Sequence, residues 1–252
     1  ENIGSSEFLY VVGQEQKQHF AMVFEVARNA GFMDESVRAV HIPFGMVLGT
    51  DGKKLASRGG LAISLKDLLD EAVLRADAAI AEKNQELTES ERAKIARMIG
   101  IGAVKYSDLS SDRTKDYTFD WDKMLSFEGN TSPYLQYAHA RICSIFKKSG
   151  IKRESTRKSV INLVEPSELA LGRSIIGFAE ALDDSCEKYL PHRLATYLHS
   201  LAQSFAAFYE NCHVLIAEEE SVKLSRLALC DLTARILNTG LDLLGIESPE
   251  QM

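Results

Sequence analysis

From Gly129 to Lys148 the chain reads GNTSPYLQYAHARICSIFKK, and no other stretch restricts the fold as much. Gly129-Asn130-Thr131-Ser132-Pro133 is a turn cluster that launches a helix. Ser132 is the expected N-cap, with Pro133 as the first helical residue, where a missing N–H costs nothing. Beyond it, Leu135, Ala138, Ile142 and Ile145 share one stripe that should face a core. Tyr134, Tyr137, Arg141 and Lys148 share a neighbouring stripe, roughly 120° away at about 3.6 residues per turn. Two tyrosines, an Arg and a Lys on one face offer stacking surface together with phosphate-seeking charge. The same tyrosines also fit a plainer role, half-buried in the core with wet hydroxyls. The stretch from Phe119 to Lys148 holds the single Trp, Trp121, and joins two halves of different character.

The second half reads helical throughout. Leu171, Ile175, Phe178, Ala179 and Leu182 predict one helix within Ser167–Leu190. After Pro191, Leu194, Leu198, Leu201, Phe205, Phe208 and Cys212 predict a second, with Tyr209 beside the stripe and near its edge. Leu224, Leu227, Ala228, Ala234, Leu237, Leu241 and Leu244 predict a third, stopped by Gly245 with Pro249 beyond. A bundle of five or six helices follows.

The first half mixes strand and helix. Residues 1–7 are polar and patternless, and Phe8–Val12 is an apolar run suited to a buried parallel strand, ended by Gly13. Gln16–Ala30 repeats Phe20, Val23, Phe24 and Ala27 at helical spacing and closes at Gly31. Val37–Phe44 is a second strand. Strand, helix, strand is a βαβ unit from a doubly wound sheet, where ligands bind beyond the carboxyl ends of strands. Two loops meet there: Gly13–His19, and the glycine-rich, cationic FGMVLGTDGKKLASRGG with Lys53, Lys54 and Arg58. Such a loop suits polyphosphate charge, as would a solvated surface loop; it contains neither GxxxxGK[ST] nor GxGxxG. Leu65–Lys83 and Thr88–Tyr106 are helices. Leu65, Leu68, Leu69, Ala72, Ala76 and Ile80 line the first, and a Thr88-x-x-Glu91 capping box opens the second. Gly100 and Gly102 inside the latter predict close helix packing. Polar Ser107–Thr118 is the expected domain junction.

The chain has 252 residues, 45% of them hydrophobic, and a net charge of −7. That balance argues against a general nucleic-acid coat. It leaves room for one oriented partner at the basic run from Arg141 to Lys158, which would equally suit a solvated surface. No apolar run reaches the roughly 18 residues of a membrane span. Cys143, Cys186, Cys212 and Cys230 form no CxxC pair, which points to a reduced compartment without a zinc site. Cys186, Cys212 and Cys230 read as small core residues.

Four segments carry a resemblance. GNTSPYLQYAHARICSI resembles the opening of the anticodon-binding helical domain of arginyl-tRNA synthetases. HIPFGMVLGTDGKKLASRGG resembles the segment with that family's version of the class I KMSKS loop, and YVVGQEQKQHF resembles its strand and arginine-contacting loop. ARILNTGLDLLGIESPEQM is similar to the family's C-terminal end down to Met252. The resemblance implies the end of a class I Rossmann-type catalytic domain, an α/β fragment with a helical stem over 1–118. An all-α anticodon-binding bundle over 119–252 follows, so the chain is mostly α. It implies arginine–tRNA ligation through an arginyl-adenylate, with ATP, Mg2+ accompanying the ATP, L-arginine and the arginine tRNA as partners, in a cytoplasmic monomer. Lys54 keeps the first KMSKS lysine; Ser57 replaces the second, with Arg58 beside it. Lys54 and Arg58 are thereby the catalytic candidates. His19, Gly45, Met46 and Ser57 join them around ATP, and Gln16 around arginine. Asn130, Tyr134, Tyr137, Arg141, Lys148, Tyr209 and Met252 are the tRNA candidates. From the residues alone Gln16 reads as a helix cap and His19 as a helix-face histidine holding a loop. The family's HIGH motif, guanidinium-binding segment and N-terminal tRNA-elbow domain have no counterpart in these residues, so this piece alone is expected not to charge tRNA. A non-catalytic tRNA-binding module and a helical interaction protein derived from a synthetase are the alternatives.

Overall fold

The computed structural model describes residues 5–53, 64–217 and 219–252. Strand β1 (Glu7–Gly13) pairs in parallel with β2 (Arg38–Phe44), from Glu7 opposite Arg38 to Gly13 opposite Phe44. A short 3-10 turn, Gln14–Gln16, leads into the crossover helix α1 (Lys17–Asn29). The βαβ unit is therefore present. The expectation that β1 is buried does not hold, since Val11 is 64% exposed. A parallel strand is buried when helices cover both faces. Here α1 covers one face only, setting Phe20 and Phe24 5.1 and 5.2 Å from the ring of Tyr10.

Helices α2 (Leu65–Lys83) and α3 (Glu89–Leu109) form an antiparallel hairpin. Thr88 and Glu91 make the expected capping box. Ala72, Ala76 and Ile80 pack on Ile95, Ala96 and Ile99. A Cβ on Gly100 would lie 2.7 Å from the backbone of Ala72, so a glycine is what lets the two helices approach. Leu65, read as part of the stripe, is 67% exposed.

The segment after α3 is shorter than expected and is not a loose linker. Strand β4 (Tyr117–Thr118) pairs in parallel with β3 (Val47–Leu48), and the Gly45 N–H donates to the Arg113 carbonyl at 2.8 Å. A single helical turn, α4 (Trp121–Met124), then leads to α5 (Ser132–Ser149). The N-cap of α5 is Thr131 rather than Ser132. Thr131 is extended and its Oγ1 accepts the Tyr134 N–H at 3.2 Å, which leaves Ser132 inside the first turn.

Helices α6 (Arg153–Thr156), α7 (Pro166–Ile176), α8 (Phe178–Glu187), α9 (Pro191–Asn211) and α10 (Glu220–Leu243) complete the bundle. One helix was expected over Ser167–Leu190. The structure divides it at Gly177, where a residue of low helix propensity lets both pieces turn onto α9. The core holds Leu135, Ile142, Leu171, Leu198, Phe205 and Leu237, all at or near full burial. Cys212 and Cys230 are inside it. Cys186 is exposed on the last turn of α8, contrary to expectation. Tyr106 of α3 joins the same core, so the stem and the bundle share a helix. No helix among the described residues is long and apolar enough to cross a membrane.

Candidate functional site

The chain ends by folding back on itself. Gly245, at φ 69°, turns α10 into a tail that α5 holds from below. Gln136 Nε2 donates to the Glu247 carbonyl at 2.7 Å and to Met98 of α3 at 3.2 Å. His139 Nδ1 lies 3.0 Å from the Pro249 carbonyl, and burial holds this imidazole below its ordinary pKa, so it is neutral near pH 7 and donates its N–H. Asn84 Nδ2 donates to the carbonyl of Met252 at 3.2 Å. The tail thereby becomes a wall of a cavity of about 1080 Å³, whose other walls are α3, α5 and the end of α9 with Leu215.

Six aromatic or cationic groups converge there. Tyr137 and Tyr209 are 39% and 38% exposed. The Arg141 guanidinium sits 4.8 Å from the Tyr137 ring centroid and 5.3 Å from that of Tyr209, and donates to the Tyr137 hydroxyl at 2.9 Å. Lys148 lines the cavity, as do Lys147 and, from α3, Lys94. Burial pushes the Cys143 thiol up, so it stays protonated on this wall. Flat rings spaced by cations, with polar and apolar lining together, can stack unpaired bases and contact their phosphates.

The structure separates two residues from this group. Tyr134 and Tyr137 were expected to project together. Tyr134 instead packs half-buried on the core with its ring 5.6 Å from His199, because three residues of helix turn it toward α9. Asn130 is exposed, and its Oδ1 accepts the Tyr106 hydroxyl at 2.7 Å, tying the turn before α5 to α3. The basic run is also divided. Arg153 and Arg157 lie 2.9 and 3.6 Å from the buried carboxylate of Asp231, which makes them structural cations.

At the strand ends, Gln16 closes the 3-10 turn, exposed and with no side-chain hydrogen bond to the helix it precedes. His19 is exposed on the first turn of α1, edge-on to Phe20 at 5.5 Å. Gly45 lies against backbone: a Cβ there would stand 2.5 Å from the Lys115 carbonyl oxygen. The Met46 N–H donates to Asp116 Oδ1 at 2.6 Å. Lys54, Ser57 and Arg58 lie outside the described residues. Among the described residues no group of three or more His, Cys, Asp or Glu could hold a metal ion.

Sequence reasoning missed Lys94, Gln136 and His139. A glutamine and a histidine on the apolar face of α5 were a signal that something polar had to meet them. Lys94 carried none, since only the tertiary fold brings α3 beside α5.

Two family patterns match the chain. Residues 1–121 match the catalytic domain of class I tRNA synthetases (R), and residues 135–252 match the DALR anticodon binding domain. An arginine–tRNA ligase of Edwardsiella ictaluri is 48% identical over 252 residues, all of this chain and 44% of that protein. One from Escherichia coli is 45% identical over the same span and share. The arginyl-tRNA synthetase of Thermus thermophilus superposes with a TM-score of 0.86 at 35% identity, over 98% of this chain and 41% of that one. That of Plasmodium falciparum does so at 0.83 and 30%, over 99% and 42%. The chain belongs to the arginyl-tRNA synthetase family.

It spans less than half the length of the curated arginine–tRNA ligases it matches. Within this synthetase family the two matched ranges meet across 122–134, the stretch that holds most of α4 and the turn before α5. The catalytic-domain match and the anticodon-binding match follow one another along the chain. The cavity lies mainly in the bundle, with α3 of the stem as one wall.

Proposed function

We propose that this chain is the C-terminal part of an arginine–tRNA ligase that attaches L-arginine to its tRNA in two steps, through an arginyl-adenylate made from ATP. The single observation that supports this reading best is the cavity where Tyr137, Arg141, Lys148, Tyr209 and Met252 converge. In it we assign the two tyrosines and the Met252 thioether to splayed anticodon bases, and Arg141 and Lys148 to the phosphates between them. Asn130 and Tyr134 complete the tRNA-facing set from its base, as residues that orient α5. At the strand ends we assign Gln16 to the arginine substrate, and His19, Gly45, Met46, Lys54, Ser57 and Arg58 to ATP. Lys54 and Arg58 would meet charge that grows on the pyrophosphate in the transition state. Mg2+ would enter with the ATP phosphates. We divide the chain at 118/119 and take the whole protein as a cytoplasmic monomer.

The test uses the full-length protein. It should load arginine, and no other amino acid, onto tRNA, and it should exchange ATP with pyrophosphate in the presence of arginine. A polypeptide of these 252 residues should bind tRNA and load nothing. One second reading has an observation of its own. The cavity is built wholly from residues of this chain, which also suits a tRNA-binding module without catalysis. Retention of tRNA by a full-length protein that performs no pyrophosphate exchange would favour that reading.

A further inference from the structure

Outside the cavity, one cation joins segments far apart in sequence. Arg113 lies between α3 and β4. Its Nη1 donates to the carbonyl of Pro43 near the end of β2 at 2.6 Å, and its Nε donates to the carbonyl of Tyr189 at 2.8 Å. Its own carbonyl accepts the Gly45 N–H at 2.8 Å. Among the described residues no carboxylate pairs with it, so the guanidinium fork is directed at the two carbonyls. Tyr189 forms the corner between α8 and α9. It is the one non-glycine residue described with a positive φ, 52°, a conformation that persists where its surroundings hold it. Its hydroxyl donates to Glu7 at 2.6 Å and accepts from Arg38 at 2.8 Å, and those two side chains pair at 3.3 Å. The corner of the bundle thus touches both strands of the βαβ unit. Gly45 and Met46, just past the Pro43 carbonyl, are pinned by Lys115, Asp116 and Tyr117, in the same segment as Arg113.

We propose that Arg113 is a positioning residue, a clasp that sets the backbone of Gly45 and Met46 relative to the α8–α9 corner of the helical bundle. Displacement of that corner is then carried to the segment that faces ATP. The role in catalysis rests on the functional reading above; the clasp itself does not. A planar two-nitrogen fork suits the task because both carbonyls are addressed from one rigid group.

The experiment compares full-length wild type with Arg113→Ala, Arg113→Lys and Tyr189→Phe. Amide hydrogen exchange at Gly45 and Met46 reads the clasp whether or not the protein charges tRNA. Exchange should rise about tenfold or more in Arg113→Ala. It should recover partly in Arg113→Lys and stay near wild type in Tyr189→Phe, which keeps the carbonyl. In steady-state charging, kcat/KM for ATP should fall about tenfold in Arg113→Ala, while the tRNA Kd and the KM for arginine stay within twofold. Unchanged exchange at Gly45 and Met46 overturns the proposal. So does faster exchange with unaltered ATP constants, or an equal loss in all three substrates together with a lowered Tm, which would mark a merely structural arginine. A wild-type protein that charges nothing overturns the functional reading instead, and exchange then decides the clasp alone.

Discussion

Arg141 is the residue that organises the cavity, because it touches two rings and a hydroxyl at once. A cation over an exposed aromatic contributes about 0.5–1 kcal/mol, and a guanidinium can stack while its edge still donates. Arg141→Lys keeps the charge and loses the planar stack. We expect tRNA affinity to fall by about 1 kcal/mol, roughly fivefold, in a filter-binding assay, with the Tm unchanged. Glu168 works in the opposite setting. It is 2% exposed, and burial alone would raise its carboxyl. The Arg226 guanidinium at 2.7 Å and the N–H groups of Glu165 and Val164 outweigh that and hold it below its usual value. A depressed carboxylate stabilises the fold above its unfolded pKa of about 4.3, and the contribution is lost as pH falls through the folded value. The Tm should therefore drop steeply below about pH 4, and Glu168→Gln should flatten that part of the profile while lowering the plateau. A Glu168→Gln variant with the wild-type acid slope would show that another group sets the acid limb.

At the scale of elements, α3 is the spine. One face packs α2, its Tyr106 enters the bundle core, and Lys94 lines the cavity. Gly100→Ala gains about 1 kcal/mol of helix propensity, but its Cβ meets the Ala72 backbone at 2.7 Å. Overpacking of this kind costs about 1–3 kcal/mol, so a net loss in urea unfolding is expected, and a stabilised variant would show that the helices can separate freely. The end of α5 gives a different prediction. Neutralising Lys147 and Lys148 should reduce the salt dependence of tRNA binding by roughly 0.7–0.9 in slope per lost contact. Neutralising Arg153 should leave the slope alone and destabilise the bundle, since it balances buried Asp231. An unchanged slope in the first variant would place the phosphates elsewhere.

Much of this was legible in the chain. Stripes marked α2, α3, α5, α9 and α10, and Thr88 and Glu91 marked a cap, because helix periodicity and capping are local. Tyr137, Arg141 and Lys148 were legible as one face for the same reason. The choice between Thr131 and Ser132 was not, since two adjacent hydroxyls compete for one N–H and the turn geometry decides. Exposure of β1 was hidden because an apolar run does not state how many layers cover it. Arg113, Lys94 and the Gln136–His139 hold on the tail depend on contacts across long sequence separations.

For the molecule as a whole, two parts share one helix, and the chain's end returns to the stem through Asn84 and Met252. The Met252 side chain also packs against the cluster of Ala76, Ile80, Ile95 and Ile99. The tail is therefore a built wall whose last residue borders both the stem and the cavity. On the proposed function, this cavity reads single-stranded bases by stacking. Base–aromatic stacking is worth about 1–3 kcal/mol per base, which is roughly 5- to 150-fold in an equilibrium. The direct measurement is the tRNA dissociation constant and charging rate of full-length Tyr137→Ala and of full-length protein lacking Met252, each beside its Tm. Binding and charging should weaken within that range in both, at a near-normal Tm. Wild-type binding and charging in both variants would contradict it and place the anticodon contact on another face.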